Sequence, residues 1–308
     1  MFQLQLQILI YLLIGWIFAK KNWLSKPTTR QLNFLVMNLI LPCSIFNAFQ
    51  SPQAQSITQQ DLFFMILLSI FLQVIMIFVA HLSWRFIPDP HQRINLEYGT
   101  MFNNSGTLGM VIGQAAFGEI GVLYTSLFAL PLRIGMWSYG LMVYSRQAEA
   151  NLKVVCKKVV TNPCFLATTF GLIFLLLEKQ GVVLPDLLTS TIASIGKCNT
   201  VLIMIVIGAT LSEISFREVN DPITIWYCVV RLLVIPLVLT LLFWPFHLLN
   251  TIAGKICILE LAMPAPVTMA MLSQKHETNP LFASKLIFLS TLASMITLPL
   301  WDWILSFF

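Results

Sequence analysis

"TMFNNSGTLGMVIGQ", residues 100–114, interrupts a long apolar run with Asn103, Asn104, Ser105 and Gly106. All four are poor helix formers. Side-chain amides and hydroxyls compete for backbone groups, and glycine loses more conformational entropy than other residues on folding. A second interruption, "ELAMPAPVTMAML" at 260–272, carries Pro264, Ala265 and Pro266. An interior proline removes a backbone donor and costs a helix about 3 kcal/mol. What the two stretches mean depends on the solvent around them.

Composition identifies that solvent. The chain has 308 residues, 57% hydrophobic and only 10% charged, with a mean hydropathy of +0.82. A soluble domain has roughly a quarter of its residues charged, so this is an all-α polytopic membrane protein. The net charge of +5 does not argue for nucleic acid, because the basic residues fall in short loops between apolar spans. Cys43, Cys156, Cys164, Cys198, Cys228 and Cys257 form no CxxC pair and read as small apolar residues. No histidine has metal-ligand spacing, and neither metal nor cofactor is expected. The apolar N-terminus lacks a basic n-region and a small-residue cleavage site, and reads as a first span.

About 20 apolar residues cross a bilayer. That ruler gives ten spans: 4–19, 32–49, 61–84, 96–117, 121–145, 161–177, 187–211, 222–245, 252–273 and 281–305. With the N-terminus outside, thirteen loop lysines and arginines fall inside, including Arg146, Lys153 and Arg217, against Lys179 and Lys255 outside. The positive-inside rule then puts both termini outside a cell membrane. The basic loop 146–160 separates 1–145 from 161–308, five spans each. An odd number per half inverts the second half against the first. "GWIFAKKNWL" at 15–24 is echoed by "GLIFLLLEKQGVVLP" at 171–185. Near-equal intervals separate Gly15 from Asn104 and Gly171 from Pro264, so spans four and nine correspond. Inverted repeats with matched broken helices are the pattern of a transporter with a midplane site.

Non-helical backbone at membrane depth is tolerated only against protein or a water-filled cavity. The two stretches therefore read as unwound centres of crossing helices. Each starts a new half-helix whose N-terminus carries unpaired N–H groups and partial positive charge, favouring an anion. The simpler alternative is a proline-kinked pair with small residues for close packing. Deep charges add to this. Arg133, Lys197, Arg231 and Glu260 lie within spans, where each is costly and marks either a substrate path or internal pairing. Glu260 with Arg231 or Lys197 is the candidate charge network.

"FNNSGTLGMVIGQAAFGEIG", "LVMNLILPCSIFNAF", "LPDLLTSTIASIGKCNTVLIMIVIGATL" and "LAMPAPVTMAMLSQKHETNPLFASKLIFLSTLASMITLPL" resemble the auxin efflux carrier family along nearly the whole chain. The resemblance implies ten helices with the crossover of the bile acid/sodium symporter fold, and transport of small organic anions. It matches Asn104 to the crossover asparagine and Pro264 to the crossover proline, and it draws some attention to Asn47. Where the family usually has a proline soon after the asparagine, this chain has Val111, so the first break rests on Asn103 to Gly106 and Gly109. The long hydrophilic insert of plant auxin exporters is absent, and auxin itself is not implied.

The function expected is a secondary transporter of a small organic anion working by alternating access. Its candidate substrate residues are Asn47, Asn103, Asn104, Ser105, Gly106, Arg133, Pro264, Ala265 and Pro266. A sodium- or proton-coupled symporter of the same fold and a non-transporting receptor are the alternatives. No HExxH, GxSxG, Walker motif or paired intramembrane aspartate supports an enzyme. The partners expected are the anion and the lipid bilayer, with no nucleic acid, and a homodimer is left open.

Overall fold

The computed structural model describes residues 2–145, 152–212 and 221–308, with side chains omitted for 2–5 and 152–155. Arg146, Arg217, residues 146–151 of the linker and the Lys153 side chain thus lie outside what is described. Every regular element among the described residues is helical, as a lipid solvent demands: a helix closes its own backbone hydrogen bonds. Six helices are long and apolar enough to cross a membrane: Lys26–Phe49, Gln59–Trp84, Glu119–Ser145, Asp186–Leu211, Pro222–Phe246 and Pro280–Leu305. Leu6–Lys20 and Pro163–Glu178 are shorter apolar helices. Phe63, Phe71, Phe78 and Leu82 stand exposed along Gln59–Trp84, an apolar outer face that suits lipid rather than water.

One local device starts several of the helices. A short polar residue caps the N-terminus and a proline fills the first turn, where its missing N–H is not needed. Asp89 caps Pro90–Met101, Asn162 caps Pro163–Glu178, Asp221 caps Pro222–Val229 and Asn279 caps Pro280–Leu305.

Two compact units emerge. The first comprises Met1–Leu62, Met110–Ser126 and Val160–Ser215. In it, Phe2–Lys20 and Asn199–Leu211 lie backbone to backbone. A Cβ at Gly15 would sit on the Ile205 carbonyl, and one at Gly208 on the Leu12 carbonyl. The second comprises Phe63–Gly109, Leu127–Val159 and Phe216–Phe308. It holds both stretches that the sequence singles out as breaks.

Spans four and nine are discontinuous. Pro90–Met101 ends, residues 102–104 are non-helical, a π-helical turn covers Ser105–Gly109, and Met110–Phe117 follows. Val111 sits inside that last helix, and the π turn stands where a proline would otherwise do the breaking. Ile252–Leu261 ends before 262–267, and Thr268–Lys275 follows.

Other interruptions were not foreseen. Val36–Ile40 and Val230–Val234 are π-helical, and Asp186–Leu211 divides at Lys197 and Cys198. Proline explains the first two, because Pro42 and Pro236 each follow a π turn and lack the donor that would close the preceding α turn. At Pro236 the carbonyl left over, four residues back at Leu232, accepts from the Trp301 indole at 2.7 Å.

Candidate functional site

An interrupted helix leaves carbonyls without donors at one edge and N–H groups without acceptors at the other. In the second unit several of these groups find partners across the breaks. Pro264 has no N–H to give the Glu260 carbonyl, and the Asn103 side-chain amide donates to that oxygen at 2.6 Å. The Pro264 carbonyl in turn accepts from the Asn104 backbone N–H at 3.0 Å. The two breaks are therefore hydrogen-bonded to each other, side chain to backbone and backbone to backbone.

Further groups at the breaks find partners nearby. Asn103 Oδ1 accepts from the Ser105 N–H at 3.0 Å and from the Ser105 hydroxyl. Thr107 and Gly109 donate back to the Asn104 carbonyl, closing the π turn. The carbonyls at the end of Pro90–Met101 are met from other helices: Gly99 by the Tyr227 hydroxyl at 2.7 Å and Met101 by the Gln73 amide at 3.0 Å. The Ala265 N–H is met by Ser290 Oγ at 3.1 Å. Asn103, Asn104 and Ser105 are all buried. The Asn104 side-chain amide enters none of these linking bonds among the described residues; its part in the pairing is through the backbone.

Charge lies beside the paired breaks. Arg133, on Glu119–Trp137, is buried, and a Cβ on Gly106 would meet its Nη2 at 3.5 Å. Glu260 is also buried beside this π turn. A Cβ on Gly109 would come 2.8 Å from its Oε1 and closer still to Oε2. Glycine at 106 and 109 thus lets one cation and one anion approach the turn. The second half-helix, Thr268–Lys275, begins at Val267 with no side-chain cap.

The structure brings Asn103, Asn104, Ser105, Gly106, Arg133, Glu260, Pro264 and Ala265 into this one region, with Pro266 in the same break. It does not assemble the rest of the expected set there. Asn47 lies in the first unit, where its amide donates to Glu119 Oε2 at 3.4 Å. Lys197, also in the first unit, is exposed at the C-terminus of Asp186–Gly196. Arg231 is buried in the π turn Val230–Val234, and its Nε and Nη1 have no hydrogen-bond partner among the described residues. No ion pair links it to Glu260 there, so the charge network read from sequence does not form around Arg231. Gln73, a polar residue within a span, makes the interhelical hydrogen bond that its place in the sequence suggests, while Tyr227 and Ser290 are participants the sequence reading missed. Only a polar side chain within an apolar span signals them.

A carboxylate–imidazole cluster sits elsewhere in this unit. His81 Nδ1 is 3.3 Å from Glu97 Oε2, its Nε2 is 2.7 Å from the Tyr139 hydroxyl, and Arg93 Nε is 3.9 Å from Glu97 Oε1. It ties Gln59–Trp84 to the first half of span four.

The family model described as "membrane transport protein" matches residues 1–302. The chain belongs to that family, and its resemblance to the auxin efflux carriers is thereby borne out. An uncharacterized transporter of Methanothermobacter thermautotrophicus is 26% identical over 306 residues, covering 97% of each chain. An uncharacterized transporter of Methanocaldococcus jannaschii is 20% identical over 308 residues, covering 97% of this chain and 96% of that one. The family and the apolar helices together make this a multi-pass membrane transporter.

Proposed function

We propose that this member of the membrane transport protein family is a secondary transporter of a small organic anion, carboxylate in type, working by alternating access around its paired helix breaks. The observation that carries the reading is the Asn104–Pro264 backbone bond, with Arg133 against the same turn. Two helix interruptions bonded to each other deep in apolar surroundings concentrate N–H groups, amides and a guanidinium, the groups that bind carboxylates. The uncapped start of Thr268–Lys275 adds partial positive charge. The Asn104 side chain, not used in holding the breaks together, is the group assigned to the substrate.

In this reading spans one to five and six to ten are inverted repeats, and both termini face outward. Coupling to protons or sodium is the variant reading. Glu260 beside Gly109 favours a proton, since sodium wants several oxygen ligands and Glu260 is the single carboxylate that a Cβ on Gly106 or Gly109 would meet among the described residues. The test is flux of labelled organic acids in proteoliposomes, with membrane potential, proton and sodium gradients varied independently. Saturable carboxylate flux is the expected result. A reconstituted, folded protein that moves no organic acid under any gradient overturns the reading.

A further inference from the structure

The cluster around His81 stands apart from the paired breaks, and at its centre is the side chain that most readily changes charge near neutral pH. His81 lies near the end of Gln59–Trp84, and its side chain is 44% exposed. Glu97, on Pro90–Met101, is largely buried, with Oε2 3.3 Å from His81 Nδ1. Ionisable side chains within spans are costly, and carboxylates and imidazoles placed there mark proton pathways.

Both protonation states of this histidine have partners. With a neutral imidazole, Nδ1–H faces the Glu97 carboxylate and Nε2 accepts from the Tyr139 hydroxyl at 2.7 Å. When a proton from water adds to the Nε2 lone pair, the new N–H donates and the Tyr139 oxygen accepts. The hydroxyl hydrogen then turns away, toward the exposed side of a half-buried Tyr139. The only bond formed is N–H, and nothing is oxidised or reduced. Glu97 supplies the negative charge that an imidazolium needs beside it. Arg93, with Nε 3.9 Å from Glu97 Oε1, and Tyr139 are the other charged or titratable side chains meeting the pair among the described residues.

The pair also acts on the substrate turn. Gln59–Trp84 grips Pro90–Met101 at three points: His81 at Glu97, the Trp84 indole on Thr100 Oγ1 at 2.9 Å, and the Gln73 amide on the Met101 carbonyl at 3.0 Å. The gripped helix ends at the Asn103–Asn104 break. A change of charge at one grip is therefore felt by the half-helix that leads into that break. Glu260 adjoins the break but is only 1% exposed, whereas a coupling proton must first be taken from water. We infer that His81, paired with Glu97, is the group that takes up the coupling proton, and that one proton travels with each organic anion; this rests on the transport reading above. A bound proton and a bound carboxylate cancel in charge, which spares the moving protein an uncompensated charge in the membrane.

The full-length protein, with H91Q, H247Q and H276Q so that His81 alone reports, is labelled with 15N-histidine and titrated in detergent. The ring is expected to gain its proton between about pH 5 and 8, and E97Q to move that midpoint toward acid. The parent is then reconstituted with the potential clamped at zero and offered labelled lactate, succinate and citrate in turn, with protein-free vesicles as the blank. An inward gradient of about one pH unit should drive about tenfold accumulation of the acid carried, and H81Q should abolish it. W84F loosens the same grip without removing a titratable group; it should lower the melting temperature and keep the accumulation. A His81 ring that does not titrate in that range overturns the inference whatever the transport result. So does parent flux indifferent to the pH gradient, parent-like accumulation by H81Q, or equal loss in W84F, which reduces the pair to a mechanical tie. A folded parent that moves no organic acid under any gradient overturns the transport reading, and the coupling role with it.

Discussion

The two helix breaks in the second unit are made by opposite chemistry. At 102–109 the chain stops being helical because Asn103, Asn104 and Ser105 offer the backbone alternative partners, and the break is rich in donors. At 262–267 it stops because two prolines delete donors, and the break is rich in carbonyls. Each supplies what the other lacks: Asn103 fills the acceptor that Pro264 vacates at Glu260, and the Asn104 N–H takes the Pro264 carbonyl. A proline-rich break and an amide-rich break make a complementary pair, whereas two of the same kind would leave buried groups unpaired. Asn103 holds the pair together by its side chain. Asn104 does so by its backbone and keeps its side chain for other work.

That difference is open to attack at several strengths. The largest effect is expected at Asn103. Replacing it with alanine leaves the Glu260 carbonyl with the Met263 N–H at 3.2 Å and strips the Ser105 N–H and hydroxyl of their acceptor, and an unsatisfied buried group costs about 1–3 kcal/mol. N103A should therefore lower the unfolding free energy by about 3 kcal/mol, read by denaturant unfolding in micelles; parent-like stability would break the pairing account. Gly109→Ala comes next. Its methyl must displace the buried Glu260 carboxylate, and overpacking of this kind costs about 2 kcal/mol. The same measurement on Gly118→Ala provides a contrast, since a Cβ there meets nothing within 4 Å, although its φ of +65° carries some strain.

Trp301→Phe sharpens the comparison at a third proline. It removes the indole that repairs Pro236 and should cost about 1 kcal/mol through the Leu232 carbonyl, again by unfolding. The smallest effect lies outside the spans, at His276. Its partial burial, with Lys275 and Lys158 nearby, pushes its pKa below the ordinary 6.5. A depressed histidine favours the folded state fully above that ordinary value and loses this contribution as pH falls through the folded-state pKa. Stability should therefore dip in mildly acid buffer, and His276→Asn should flatten that part of the profile.

Both breaks in the second unit were legible in the sequence because their causes are local: an Asn-Asn-Ser-Gly run and a Pro-Ala-Pro run in apolar surroundings. The π turns before Pro42 and Pro236 were not. A lone proline in a span reads equally as a kink, and only the fold reveals whether a Trp301 is at hand to accept the consequence. The charges were legible as residues but not as partners. Arg133 and Glu260 reach the π turn because Gly106 and Gly109 admit them, while the exposed Lys197 and the separately buried Arg231 look the same in a hydropathy trace. Pairing is a tertiary fact. So is the cluster around His81, whose members come from three separate stretches of chain.

The most direct measurement is carboxylate flux by Asn104→Ala in proteoliposomes, set beside its thermal stability. Alanine keeps the backbone N–H that binds the Pro264 carbonyl, so the breaks stay paired and the melting temperature should match the parent. The lost amide should abolish flux of labelled organic acids. An N104A variant as stable as the parent that transports at the parent rate would contradict the assignment of this side chain, and with it the claim that the paired breaks are the substrate site.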